Sequence, residues 1–100
     1  RLNEIKQDFD MENMAAVFHD LGIVCYSRDQ YKKAEEEYTK ALELYRSINE
    51  NIQSTDLIIK MINEYNNLYI LYIELNHTKK AEDVKKEVGK LEDIILNQLE

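Results

Sequence analysis

Proline is absent from the chain, glycine occurs only twice and cysteine once, and basic residues are outnumbered. Each scarcity excludes something. With no glycine-rich run there is no loop to cradle a phosphate. A lone Cys25 cannot close an internal disulfide, so a packed thiol in a reducing, cytoplasmic setting is the simpler expectation. No apolar stretch approaches the roughly 20 residues that cross a bilayer, and no basic-then-apolar leader opens the chain, so no membrane contact is expected. Lys and Arg number 13 against 20 Asp and Glu, which leaves a formal charge of −7 and a pI near 4.8. That balance repels phosphate backbones, and direct nucleic-acid binding is not expected. Histidine is equally scarce. His19 beside Asp20, and His77 in a turn, offer too few ligands for zinc, and His19 and Cys25 fall on nearly opposite sides of one helix, so neither a metal, a cofactor nor a catalytic pair is expected.

What remains is 100 residues of which 44% are hydrophobic and 33% charged, a profile that suits one all-helical unit. After an opening piece over residues 1–10, with Leu2, Ile5 and Phe9 on a stripe, the spacing of apolar residues predicts four helices. The first runs from about Met11 to Ser27, with Asp10 as cap and Met14, Val17 or Phe18, Leu21 and Cys25 inward. The second runs from about Tyr31 to Ile48, capped by Asp29, with Tyr31, Ala34, Tyr38, Ala41, Leu42, Tyr45 and Ile48 at spacings of three and four. Its run Glu35, Glu36, Glu37 reads as a solvated face. A polar linker at 49–54 leads to a third helix from Thr55 to about Leu75, and Thr78 is expected to cap a fourth whose Ala81, Val84, Val88, Leu91 and Ile95 form a heptad-like seam. Short turns at 28–30 and 76–77 force antiparallel hairpins, covering residues 11–48 and 55–100. Beginning at Arg1 within an amphipathic pattern, the chain is expected to be a fragment.

The segment from Tyr65 to Tyr72, followed by Ala81, echoes the segment from Phe18 to Cys25, followed by Ala34. Ala34 and Ala81 lie 47 residues apart, so the chain carries an internal repeat. Phe18, Leu21, Gly22, Cys25 with Tyr26 beside it, Tyr31, Ala34, Tyr38, Ala41 and Leu42 resemble the tetratricopeptide repeat signature, short of its terminal proline and of the aromatic that Cys25 replaces; the downstream copy keeps Tyr65, Leu68, Tyr72 and Ala81 but has Tyr69 for the glycine, Lys85 for an aromatic and Val88-Gly89 for Ala-Leu. The register exceeds the 34 residues of the plain repeat. In that respect, and in the Asn66-Asn67-Leu68 phrase, the chain also resembles the extended repeats of kinesin light chains and of bacterial peptide-pheromone receptors.

The resemblance implies an all-α fold of antiparallel helix hairpins stacked as a short right-handed superhelical array, non-catalytic, with the first helix of each hairpin lining a concave wall. In repeat register the exposed stripe there is Ala16, Asp20, Ile23 and Ser27, flanked by His19 and Tyr26, and then Asn63, Asn67, Ile70 and Glu74, flanked by Asn66 and Ile73. We take His19, Ile23, Tyr26, Asn63, Asn66, Asn67 and Ile70 as the candidate contacts for a protein or peptide partner, because side-chain amides both donate to and accept from peptide bonds while aliphatic groups supply apolar contact. The lysine, asparagine and arginine clamp by which some family members hold a terminal carboxylate is matched only at Asn67. The resemblance also leaves open a sensor or oligomerisation part of a bacterial transcriptional regulator whose DNA-binding domain lies outside this chain. A homodimer through the seam of the fourth helix is a third reading, since roughly three repeats are needed for an independent stack.

Overall fold

The computed structural model describes residues 2–99, which form four α-helices: α1 (Leu2–Ser27), α2 (Tyr31–Asn51), α3 (Thr55–Glu74) and α4 (Thr78–Leu99). Among the described residues there is no strand. The helices pack in chain order, α1 on α2, α2 on α3 and α3 on α4, as an array of two antiparallel hairpins.

The two hairpin turns are built alike. Asp29 and Asn76, 47 residues apart, take left-handed backbone angles with φ of 60° and 59°, a region that Asp and Asn tolerate better than most residues. At the first turn the amide of Gln30 donates to the Cys25 carbonyl at 2.9 Å and that of Asp29 to Tyr26 at 3.0 Å. At the second the amide of His77 donates to Tyr72 at 2.8 Å and that of Asn76 to Ile73 at 3.1 Å. This nested pair of bonds satisfies carbonyls that a helix end leaves open and reverses the chain within three residues. Asp29 was expected to cap α2. Its left-handed backbone instead ends α1, and its carboxylate accepts the Tyr31 hydroxyl at 3.0 Å.

Small residues bring the first hairpin together. Ala15, Ala34 and Ala41 are fully buried. Gly22 faces the Tyr38 ring so closely that a Cβ there would stand 2.5 Å from two ring carbons. The core then runs through Tyr38, Leu42, Tyr45 and Ile48 of α2 into Leu57, Met61, Tyr65, Leu68, Leu71 and Tyr72 of α3, and on to Ala81 and Val84. Buried hydroxyls find partners: Tyr72 donates to Glu35 Oε2 at 2.5 Å, and Arg46 donates to the Tyr65 oxygen at 2.6 Å. Burial, reinforced by the bond to Glu35, raises the Tyr72 phenol well above its ordinary value.

Several expectations are corrected. The lead expected over residues 1–10 is, in its described part, the N-terminal continuation of α1, so Asp10 lies inside the helix and caps nothing. The α2 helix continues to Asn51, which shortens the connection before α3. Met14, Val17 and Leu21 are 45 to 56% exposed, because α1 turns Ala15, Gly22 and Cys25 inward and carries a second apolar face outward. Glu37 and Glu35 do not belong to a solvated face: Glu37 is buried and Glu35 receives the Tyr72 hydroxyl.

Candidate functional site

The first helices of the two hairpins, α1 and α3, lie side by side and run in the same direction. Three polar pairs join them in ascending order: Lys60 with Glu12, His19 with Glu64, and Tyr26 with Glu74. The first and last of these pairs are each 48 residues apart, close to the 47-residue spacing of the sequence repeat. A second copy of the same helix therefore sits beside the first almost in register. The hydrogen bond to Glu12 leads in holding the Lys60 ammonium above its ordinary pKa.

The middle pair is the unusual one. Glu64 is only 2% exposed, and one of its carboxylate oxygens lies 2.7 Å from His19 Nδ1. The two atoms are close but poorly aligned for a hydrogen bond, and the other carboxylate oxygen has no partner among the described residues. Burial pushes the Glu64 carboxyl above its ordinary value, and His19 pulls it back only in part. Tyr38 and Tyr45 of α2 feel this carboxylate, which adds to the burial that raises their phenols.

Helical geometry at 3.6 residues per turn sorts the seven candidates into three groups. Ile23, Asn63, Asn67 and Ile70 share the open side of the α1 and α3 pair: Ile23 is 45% and Ile70 50% exposed, Asn63 is exposed and Asn67 half-buried. Asp20 and Glu74 flank them, both exposed. His19 and Tyr26 lie in the seam between the two helices, where Glu64 and Glu74 hold them; the Tyr26 hydroxyl donates to Glu74 Oε1 at 3.2 Å. Asn66 stands apart from both groups and lines an open groove between α3 and α4 with Tyr69, Lys85, Val88, Gly89 and Glu92.

The reading from register alone missed Glu64 and that groove. Glu64 sits next to Asn63 in a polar stretch, but its counterpart 47 residues earlier is the apolar Val17, a signal that the position faces another helix. The groove was foreshadowed by Lys85 and Gly89, which stand where the upstream copy has Tyr38 and Leu42.

Among the described residues, no three His, Cys, Asp or Glu side chains converge as metal donors, and no helix is long and apolar enough to cross a membrane. Residues 15–48, which span the body of the first hairpin, match the tetratricopeptide repeat family. No curated protein and no solved structure matches the chain.

Proposed function

We propose, from the premise that residues 15–48 are a tetratricopeptide repeat and so a unit of protein–protein interaction, that this chain captures a peptide or a partner's helix along the open side of α1 and α3. The contacts are Ile23, Asn63, Asn67 and Ile70. The observation that carries the reading is that amides and aliphatics alternate on one exposed wall while neither asparagine side chain is spent on a hydrogen bond among the described residues. Free amides beside exposed isoleucines match a peptide's own mixture of backbone polarity and apolar side chains.

Charge narrows the partner. Asp20 and Glu74 border the wall, Lys60 is engaged by Glu12 and Asp56, and the chain as a whole carries −7. A segment that places Lys or Arg beside aliphatic residues is therefore the best complement, and salt should weaken its capture by screening. His19 and Tyr26 act as positioning residues that lock the two helices at a fixed separation.

Selection from a displayed peptide library, followed by calorimetry, tests this. Asn63→Ala and Asn67→Ala should each weaken a selected peptide by about 1–3 kcal/mol at unchanged helicity. Asn66→Ala, on a different side of α3, should leave affinity where it was. Equal binding by all three variants would end the proposal.

A further inference from the structure

The contact between the two hairpins has a ridge and a crevice, and each has an uncovered counterpart elsewhere on the molecule. The ridge is the α3 face Met61, Glu64, Leu68 and Leu71, none more than 5% exposed, set against the first hairpin. At the 47-residue register α1 carries Met14, Val17, Leu21 and Val24, which are 51, 56, 45 and 44% exposed. The crevice residues His19, Gly22, Tyr38, Leu42 and Tyr45 correspond at the same register to Asn66, Tyr69, Lys85, Gly89 and Glu92. Those five line an open cavity of about 480 Å³ between α3 and α4. A second hollow, bordered by Ile62, Ile95 and Leu96, shares Gly89 and Glu92 with it and lengthens the apolar floor.

We propose that copies of this chain associate head to tail, with α1 of one copy laying Met14, Val17, Leu21 and Val24 into the α3–α4 groove of the next. The occupant is a second copy because α1 bears, at the same spacing, the face that α3 already uses against the first hairpin. One buried charge is avoided in the process. Where Glu64 meets His19 within the chain, Val17 of one copy meets Asn66 of the other, so the ridge carries no carboxylate into the groove. Lys85 and Glu92 replace Tyr38 and Tyr45, which makes the groove wetter and the association weaker than the contact within the chain. The two halves differ, so the contact does not close on itself and adds copies in one direction, extending the α1 and α3 wall.

Sedimentation equilibrium between about 10 μM and about 1 mM, the span in which a weak contact becomes populated, reads this directly. The wild-type mass should rise with concentration past the dimer without a plateau. Leu21→Arg spoils only the ridge. Gly89→Arg blocks only the groove, and its side chain starts in open space, since a Cβ at Gly89 meets nothing within 4 Å. Each variant alone should stay monomeric with wild-type helicity. An equimolar mixture should form a 1:1 dimer and stop there, because it holds one intact ridge and one intact groove. A monomeric wild type at the highest concentration, a variant that assembles as the wild type does, or a mixture that stays monomeric each overturns the proposal; the second of these is the mark of a symmetric dimer through one face.

Discussion

Replacing Gly22 by alanine sets two effects of known size against each other. In a helix interior alanine is favoured over glycine by about 1 kcal/mol. At Gly22, however, the new methyl would stand 2.5 Å from Cδ1 and Cε1 of Tyr38, where ordinary contacts begin at 3.4 Å, so the ring must retreat by close to an ångström. That ring is 3% exposed and pinned in the core. Overpacking of this kind costs about 1–3 kcal/mol. The net expectation is a loss of up to about 2 kcal/mol, or a fall in Tm of up to about 15 °C for a domain this size. Gly89→Ala is the control: its methyl enters open space, so only the propensity gain remains and Tm should rise. Thermal melting followed by circular dichroism measures both. Adding Tyr38→Leu to Gly22→Ala should remove the overlap, so the pair of changes should cost less than the sum of its parts. Equal upward shifts for the two alanines would refute the close approach of α1 and α2 at Gly22.

Further expectations follow from the core and from the seam. Leu71 is fully buried where α3 meets the first hairpin, so Leu71→Ala should cost about 2–5 kcal/mol in denaturant unfolding, with the loss appearing as a lower midpoint at unchanged slope. Glu64 holds its proton in the folded state at pH values where the unfolded chain has released it, so its support for folding is complete below the ordinary value of 4.5 and drains as pH rises above that. His19 and Asp20 of α1 and Tyr38 and Tyr45 of α2 face it, and of these only His19 opposes this trend. Glu64→Gln cannot ionise, so its Tm should gain on the wild type between pH 4.5 and neutrality; parallel pH profiles would contradict the raised carboxyl.

The hairpin architecture was legible because close packing demands particular residues at particular places. Gly22, Ala34 and Tyr38 form a steric unit that few other side chains could replace, and the shift of 47 residues that maps Ala34 on Ala81 also maps the turn at Asp29 on the turn at Asn76. Other features were hidden by the same periodicity that revealed the helices. Because α1 is apolar on two sides, no single stripe marks its core face, and Met14, Val17 and Leu21 read as buried although they point away from α2. Glu37 was read as surface because charge usually is, and Glu64 was not singled out at all. Both occupy inward positions, and only the neighbours that the fold supplies explain them. His19 and Tyr26 were placed on the wall by register, yet their length carries them into the seam, where Glu64 and Glu74 wait.

Chemical-shift mapping tests the binding wall most directly. With backbone amides of the 15N-labelled chain assigned and a library-selected basic, aliphatic peptide titrated in, the largest changes are expected at Ile23, Asn63, Asn67 and Ile70, with Asp20 and Glu74 beside them. Changes confined to Lys85, Gly89 and Glu92, or scattered without a focus on α1 and α3, would contradict it.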